Sequence, residues 1–125
     1  MKIAYVCYED QGKYSSSVEN EDQILLDYLK AKGLELTMEV WNDPAVNWEA
    51  YELALLKSPW DYFDKIAEFY LWLNKLEDLN VSLLNPAKVV KWNSDKHYLY
   101  EIAKAGLLVT PTLYFERGEK PDLTE

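Results

Sequence analysis

The stretch Ile3-Ala4-Tyr5-Val6-Cys7-Tyr8 decides the fold. It is a short, uncharged, apolar run closed by Glu9-Asp10, the pattern of a strand buried on both faces at the centre of a parallel sheet. The acidic pair comes too early for a signal-peptide h-region, and no small-residue cleavage site follows it.

Working outward, the polar stretch 9–20 contains Gly12 and three consecutive serines. Ile24, Leu25, Tyr28 and Leu29 then take the spacing of one helix face, with Gly33 where a C′ residue belongs. Leu34, Leu36, Met38 and Val40 alternate with polar residues, which predicts a strand exposed on one face near a sheet edge. Trp41-Asn42-Asp43-Pro44 turns the chain. Leu53 to Leu56 reads as a second central strand. Tyr62, Phe63, Ile66, Phe69, Tyr70, Leu73 and Leu76 form the stripe of a long helix. Val81 to Leu84 is a fourth strand, stopped by Asn85-Pro86. This order predicts an α/β fold, a parallel sheet of about four strands with helices on both faces, over residues 1–90. Residues 91–125 have a different character. Asn93 or Ser94 can cap a helix carrying Tyr98, Leu99 and Ile102, ended by Gly106, and Leu107 to Phe115 is a short edge strand or linker interrupted by Pro111.

Composition narrows the function. The chain has 125 residues, 49% of them hydrophobic, enough for one core without staples. Its 22 acidic and 13 basic side chains give a net charge of −9, which disfavours nucleic acid and anionic lipid as partners. No apolar run is long enough to span a bilayer, and the cytoplasm is the expected compartment. The single cysteine, Cys7, excludes an internal disulfide or a multi-cysteine metal site, and the single histidine, His97, excludes a His-based one. Metal ligands are therefore not expected. None of the four glycines builds GxGxxG or GxxxxGK[ST], so no such backbone loop cradles phosphate.

In open α/β sheets, ligands bind beyond the carboxyl ends of the strands where the strand order reverses. With the first strand central, that point lies between Tyr8 and Lys57, so the loops 9–20 and 57–61 are candidates. An acidic pair after the first strand also fits a response regulator, but that reading needs an aspartate where the chain has Lys57-Ser58. Ser58-Pro59-Trp60-Asp61 reads as a helix start, with Ser58 as N-cap, Pro59 at N1 and an acid at N3. Such a terminus also attracts anions. Trp60 either lines a pocket or packs on a neighbour.

Several segments then share an order and spacing. They are Tyr8-Glu9-Asp10, Glu21-Asp22, Trp41-Asn42-Asp43-Pro44, Tyr51-Glu52-Leu53, Ser58-Pro59-Trp60-Asp61-Tyr62, Leu84-Asn85-Pro86 and Trp92-Asn93-Ser94-Asp95-Lys96. Together they resemble, over about residues 2–115, the N-terminal region of ATP-grasp proteins related to glutathione synthetase and the RimK-like ligases, in the group that includes the cycloserine-biosynthesis ligase. The resemblance implies a Rossmann-like pre-ATP-grasp domain whose cleft is faced by Glu9, Asp10, Ser58, Trp60 and Asp61 as substrate-binding residues. Relatives often carry arginine at the position of Lys57 and threonine at that of Pro59, which bears on carboxylate recognition. Lys96 matches a nucleotide-phosphate contact at the start of the ATP-grasp domain. ATP and Mg²⁺ are the cofactors implied for an intact parent, with the nucleotide-binding strand and metal carboxylates beyond Glu125. The chain is thus expected to be a substrate-side fragment of an ATP-dependent carboxylate–amine or carboxylate–thiol ligase, inactive alone. Its expected partners are a small substrate bearing a carboxylate or amine, the remaining ATP-grasp domain, and a second copy in a homodimer. The alternative is a stand-alone small-anion-binding or assembly module without catalysis.

Overall fold

A computed structural model describes residues 1–9, 21–116 and 118–120. The chain divides into two compact units, Met1–Lys91 and Trp92–Glu125.

In the first unit the elements run β1 (Lys2–Cys7), α1 (Glu21–Ala31), β2 (Glu35–Val40), a 3₁₀ turn (Trp48–Ala50), β3 (Leu53–Ser58), α2 (Ile66–Asp78) and β4 (Ser82–Leu83). The four strands form one parallel sheet in the order β2-β1-β3-β4. β1 is central and buried from Ile3 to Cys7, as its uninterrupted apolar run requires. β2 lies at an edge and buries only Leu36 fully. Gly33, at φ +87°, closes α1 in the left-handed conformation expected of a helix C′ residue.

Strand alternation sends side chains to two unequal cores. Ala4, Val6 and Ala54 face Phe69, Trp72, Leu73 and Leu76 of α2, together with Trp41, Trp48, Tyr51 and Val81. Ile3, Tyr5 and Leu36 face Leu26 of α1. Helices therefore cover both faces. The α2 side carries the aromatic mass, with Phe69 stacked on Trp72 at 5.5 Å and Trp41 edge-on to Phe69 at 5.3 Å.

Three local expectations need correction. α2 begins at Ile66 with Lys65 as its N-cap, not at Ser58. Ser58 is the last residue of β3, and residues 60–65 are turns, because the Ser58 hydroxyl bonds to Asp22 of α1 instead of capping. A helix, α3 (Ala87–Ser94), follows Pro86, so Ser94 ends a helix rather than starting one. In the second unit, α4 (Tyr98–Lys104) ends before Gly106 at φ +85°, and residues 107–116 form no strand. Pro111 withholds a ladder donor there.

Candidate functional site

Because β1 is flanked by β2 on one side and β3 on the other, the strand order reverses beside it. The carboxyl ends of β1 and β3 and the start of α1 meet at this reversal. Tyr8 N–H donates to the Ser58 carbonyl at 3.0 Å, extending the ladder past the last paired residue.

The register shifts at this end. Val6 pairs with Leu56 but Cys7 pairs with Ser58, so Lys57 is an extra residue in β3. Strict alternation would put Ser58 on the face of Ala54 and Leu56, toward α2. The bulge returns it to the face of Tyr5, toward α1. There both side chains meet Asp22, in the first turn of α1. The Tyr5 hydroxyl donates to Asp22 Oδ1 at 2.8 Å, and the Ser58 hydroxyl donates to Asp22 Oδ2. Lys57 Nζ lies 3.8 Å from Oδ1, attracted but beyond hydrogen-bond reach. Burial, then the hydrogen bond and charge of Asp22, hold the Tyr5 hydroxyl well above its ordinary pKa. Burial, with the charges of Asp22 and Glu39, pushes the Cys7 thiol up to about 11, which leaves it a poor nucleophile at neutral pH.

A second cluster lies between the end of β2 and the turns before α2. Trp41 Nε1 donates to Asp61 Oδ1 at 2.7 Å, and Lys65 Nζ donates to Asp61 Oδ2 at 2.6 Å. The same ammonium lies 5.9 Å from the centre of the Trp41 ring. Partial burial raises the Asp61 pKa, but the hydrogen bonds from Lys65 and Trp41 and the Lys65 charge outweigh it and hold the carboxyl below its usual range. Asp61 thus ties the end of β2 to the turns before α2.

The sequence-derived site residues separate accordingly. Ser58 is buried within the Asp22 cluster. Asp61 belongs to the Trp41–Lys65 cluster. Trp60 is 59% exposed, its ring uncommitted to the core. Glu9 is exposed at the end of β1, and its charge adds to the elevation of the Lys65 pKa. Asp10 lies outside the described residues. Lys96 belongs to the second unit, in the turn between α3 and α4, with its ammonium 5.7 Å from the centre of the Tyr98 ring. Asp22, Tyr5, Trp41 and Lys65 are not among the site residues expected from the sequence. Asp22 carried a signal, as an acid in the first turn of the helix that follows the β1 loop, but its partners are 17 to 36 residues away.

The described residues do not fit a Mg²⁺–nucleotide site. No group of three or more His, Cys, Asp or Glu among them could hold a metal ion, and Lys96 is a single cation without a glycine-rich loop beside it.

Strand order, two-sided helical cover and a polar cluster at the carboxyl edge define a small parallel α/β domain. Residues 3–85 match the family described as "D-cycloserine synthetase DcsG, N-terminal domain", and the chain belongs to that family. It is 31% identical over 94 residues, 75% of its length, to the cycloserine biosynthesis protein DcsG of Streptomyces lavendulae. The crystal structure of D-cycloserine synthetase DcsG superposes on 89% of the chain with a TM-score of 0.75 at 26% identity. The chain spans about a third of each relative's length, 31% and 36%.

Proposed function

We propose that this chain is the substrate-side portion of an ATP-dependent ligase that joins a carboxylate to an amine or thiol, and that it binds a small amino-acid-like substrate but turns nothing over alone. The observation that carries the reading is the convergence of Lys57, Ser58 and Asp22 at the strand-order reversal of a domain belonging to the cycloserine synthetase family. A ligand there meets an ammonium for a carboxylate, and exposed Glu9 for an ammonium. The exposed Trp60 ring, in the turns that follow Ser58, offers an apolar wall. In this reading the activation of a carboxylate would be supplied by ATP held outside the described residues. Nucleotide and Mg²⁺ are then held by the part of the relatives that the chain does not cover.

Two measurements test the proposal. D-serine, the amino acid contained in the name D-cycloserine, is expected to shift the backbone amide resonances of Tyr8 and Ser58 in the isotope-labelled chain. Incubation with ATP and Mg²⁺ is expected to release no ADP above a heat-treated control. Magnesium-dependent ADP release that Lys96→Ala abolishes would overturn the inactivity, and amide spectra unchanged by D-serine would overturn the substrate site.

A further inference from the structure

Asp22 makes the carboxyl edge a defined arrangement rather than three polar residues near one another. Ser58 is only 2% exposed, and its hydroxyl is turned away from the α2 core by the bulge. A buried hydroxyl requires a partner, and Asp22 Oδ2 is that partner. Oδ1 accepts from Tyr5, whose side chain is also buried. Two neutral hydroxyls therefore pin the carboxylate from beneath, one from each central strand. Its remaining attraction acts on Lys57, the inserted residue of the bulge. At 3.8 Å that attraction orients the ammonium without consuming its donors, and the Lys57 side chain is 36% exposed. An ammonium has three N–H donors to give.

We propose that Asp22 is the positioning residue of the site: fixed by Tyr5 and Ser58, it steers Lys57 so that the free N–H donors of the ammonium meet the carboxylate of a small substrate. This deepens the substrate-side reading and rests on it. Asp22 acts through Lys57 and does not touch the ligand.

The test uses D-serine and D-serinamide, which differ in whether a carboxylate is present, titrated into the labelled chain. Wild-type protein is expected to bind D-serine at least fivefold more tightly than D-serinamide. Asp22→Asn keeps an acceptor for one hydroxyl, offers its amide N–H to the oxygen of the other, and removes the charge that steers Lys57. It is expected to bring that ratio close to one while D-serinamide binding stays unchanged. Lys57→Met alters an exposed side chain, leaves the fold intact, and is expected to lower the ratio equally. The double variant should lose no more than either single one, because both changes break the same path. A residue with only a structural role would lower the melting temperature and leave the ratio alone. The proposal is overturned if Asp22→Asn keeps the wild-type ratio, if Lys57→Met does, or if the two losses add in the double variant. If wild-type protein binds D-serine but ignores the carboxylate, the role of Asp22 falls and the site survives. If it binds neither probe, the substrate-side reading falls first.

Discussion

Two tryptophans of one aromatic cluster use their indole N–H groups differently. Trp41 donates to Asp61, whereas Trp72 Nε1 is buried without a hydrogen-bond partner among the described residues. Trp72 lies edge-on to Trp48 at 5.3 Å and to Trp41 at 6.1 Å, surroundings that supply ring faces in place of acceptors. Replacing either by phenylalanine removes a similar volume, but Trp41→Phe also takes a donor from a partly buried carboxylate. It should therefore cost about 1 kcal/mol more than Trp72→Phe in urea unfolding, and equal costs would show that the Trp41–Asp61 bond adds nothing net. Asp61 also gives stability a pH signature. Its folded-state pKa lies below the ordinary value of 3.8, so the folded state holds the charged form more tightly than the unfolded state does. That stabilisation is complete above the unfolded value and is lost as pH falls through the folded one. Asp61→Asn retains an acceptor for Trp41 and loses the charge together with the hydrogen bond from Lys65. The melting temperatures of wild type and Asp61→Asn are expected to differ at pH 7 and to converge as the pH is lowered from 4 to 2.5. A gap that stays constant over that range would assign the acid sensitivity elsewhere.

At the scale of elements, what could be read from the sequence was what local pattern determines. β1 and β3 appear as apolar runs because both their faces are covered, and β2 alternates because it lies at an edge. Gly33 and Gly106 mark helix ends because only glycine takes a positive φ there at little cost. The helix expected from Ser58-Pro59-Trp60-Asp61 failed through long-range competition. Every residue type of an N-terminal cap is present, yet Ser58 bonds to Asp22 and Asp61 bonds to Trp41 and Lys65. Partners that lie 36 and 20 residues away in sequence outweigh local propensity. α3 was missed for the opposite reason. Asn85-Pro86 reads as a stop, but Ala87 and Val90 pack inward on one helical face. The Val90 N–H donates to the Pro86 carbonyl, as an opening helical turn requires. The bulge at Lys57 has no sequence signature at all. A one-residue slip in a parallel ladder emerges only once Cys7 is seen opposite Ser58, and the geometry of the candidate site depends on that slip. The reversal of strand order beside β1 was legible in the sequence, while the clustering of Asp22 with Tyr5 and Ser58 was not.

At the scale of the whole molecule, charge and exposed apolar surface act against each other. Trp60 and Phe63 fall in the same turns before α2, 59% and 56% exposed, and Leu84 lies open after β4. Large apolar side chains grouped on one domain favour association, and patches beyond a few hundred Å² rarely stay bare on monomers. The net charge of −9 opposes it, because two copies repel each other until the field is screened. The screening length falls from roughly 14 Å at 50 mM salt to roughly 4 Å at 500 mM, by interpolation between the standard values. Self-association of this chain is therefore expected to strengthen with salt, the reverse of an assembly held by ion pairs. Light scattering coupled to size exclusion should find mostly monomer at 50 mM sodium chloride and a rising share of dimer at 500 mM, at the same protein concentration. Trp60→Ser tests whether the turns before α2 form the contact. It removes exposed apolar area without touching the core, so the melting temperature of the monomer should hold while the dimer at high salt is lost. A dimer that persists in Trp60→Ser would move the contact to another surface, and a monomer at both salt concentrations would show that repulsion is not what keeps the copies apart.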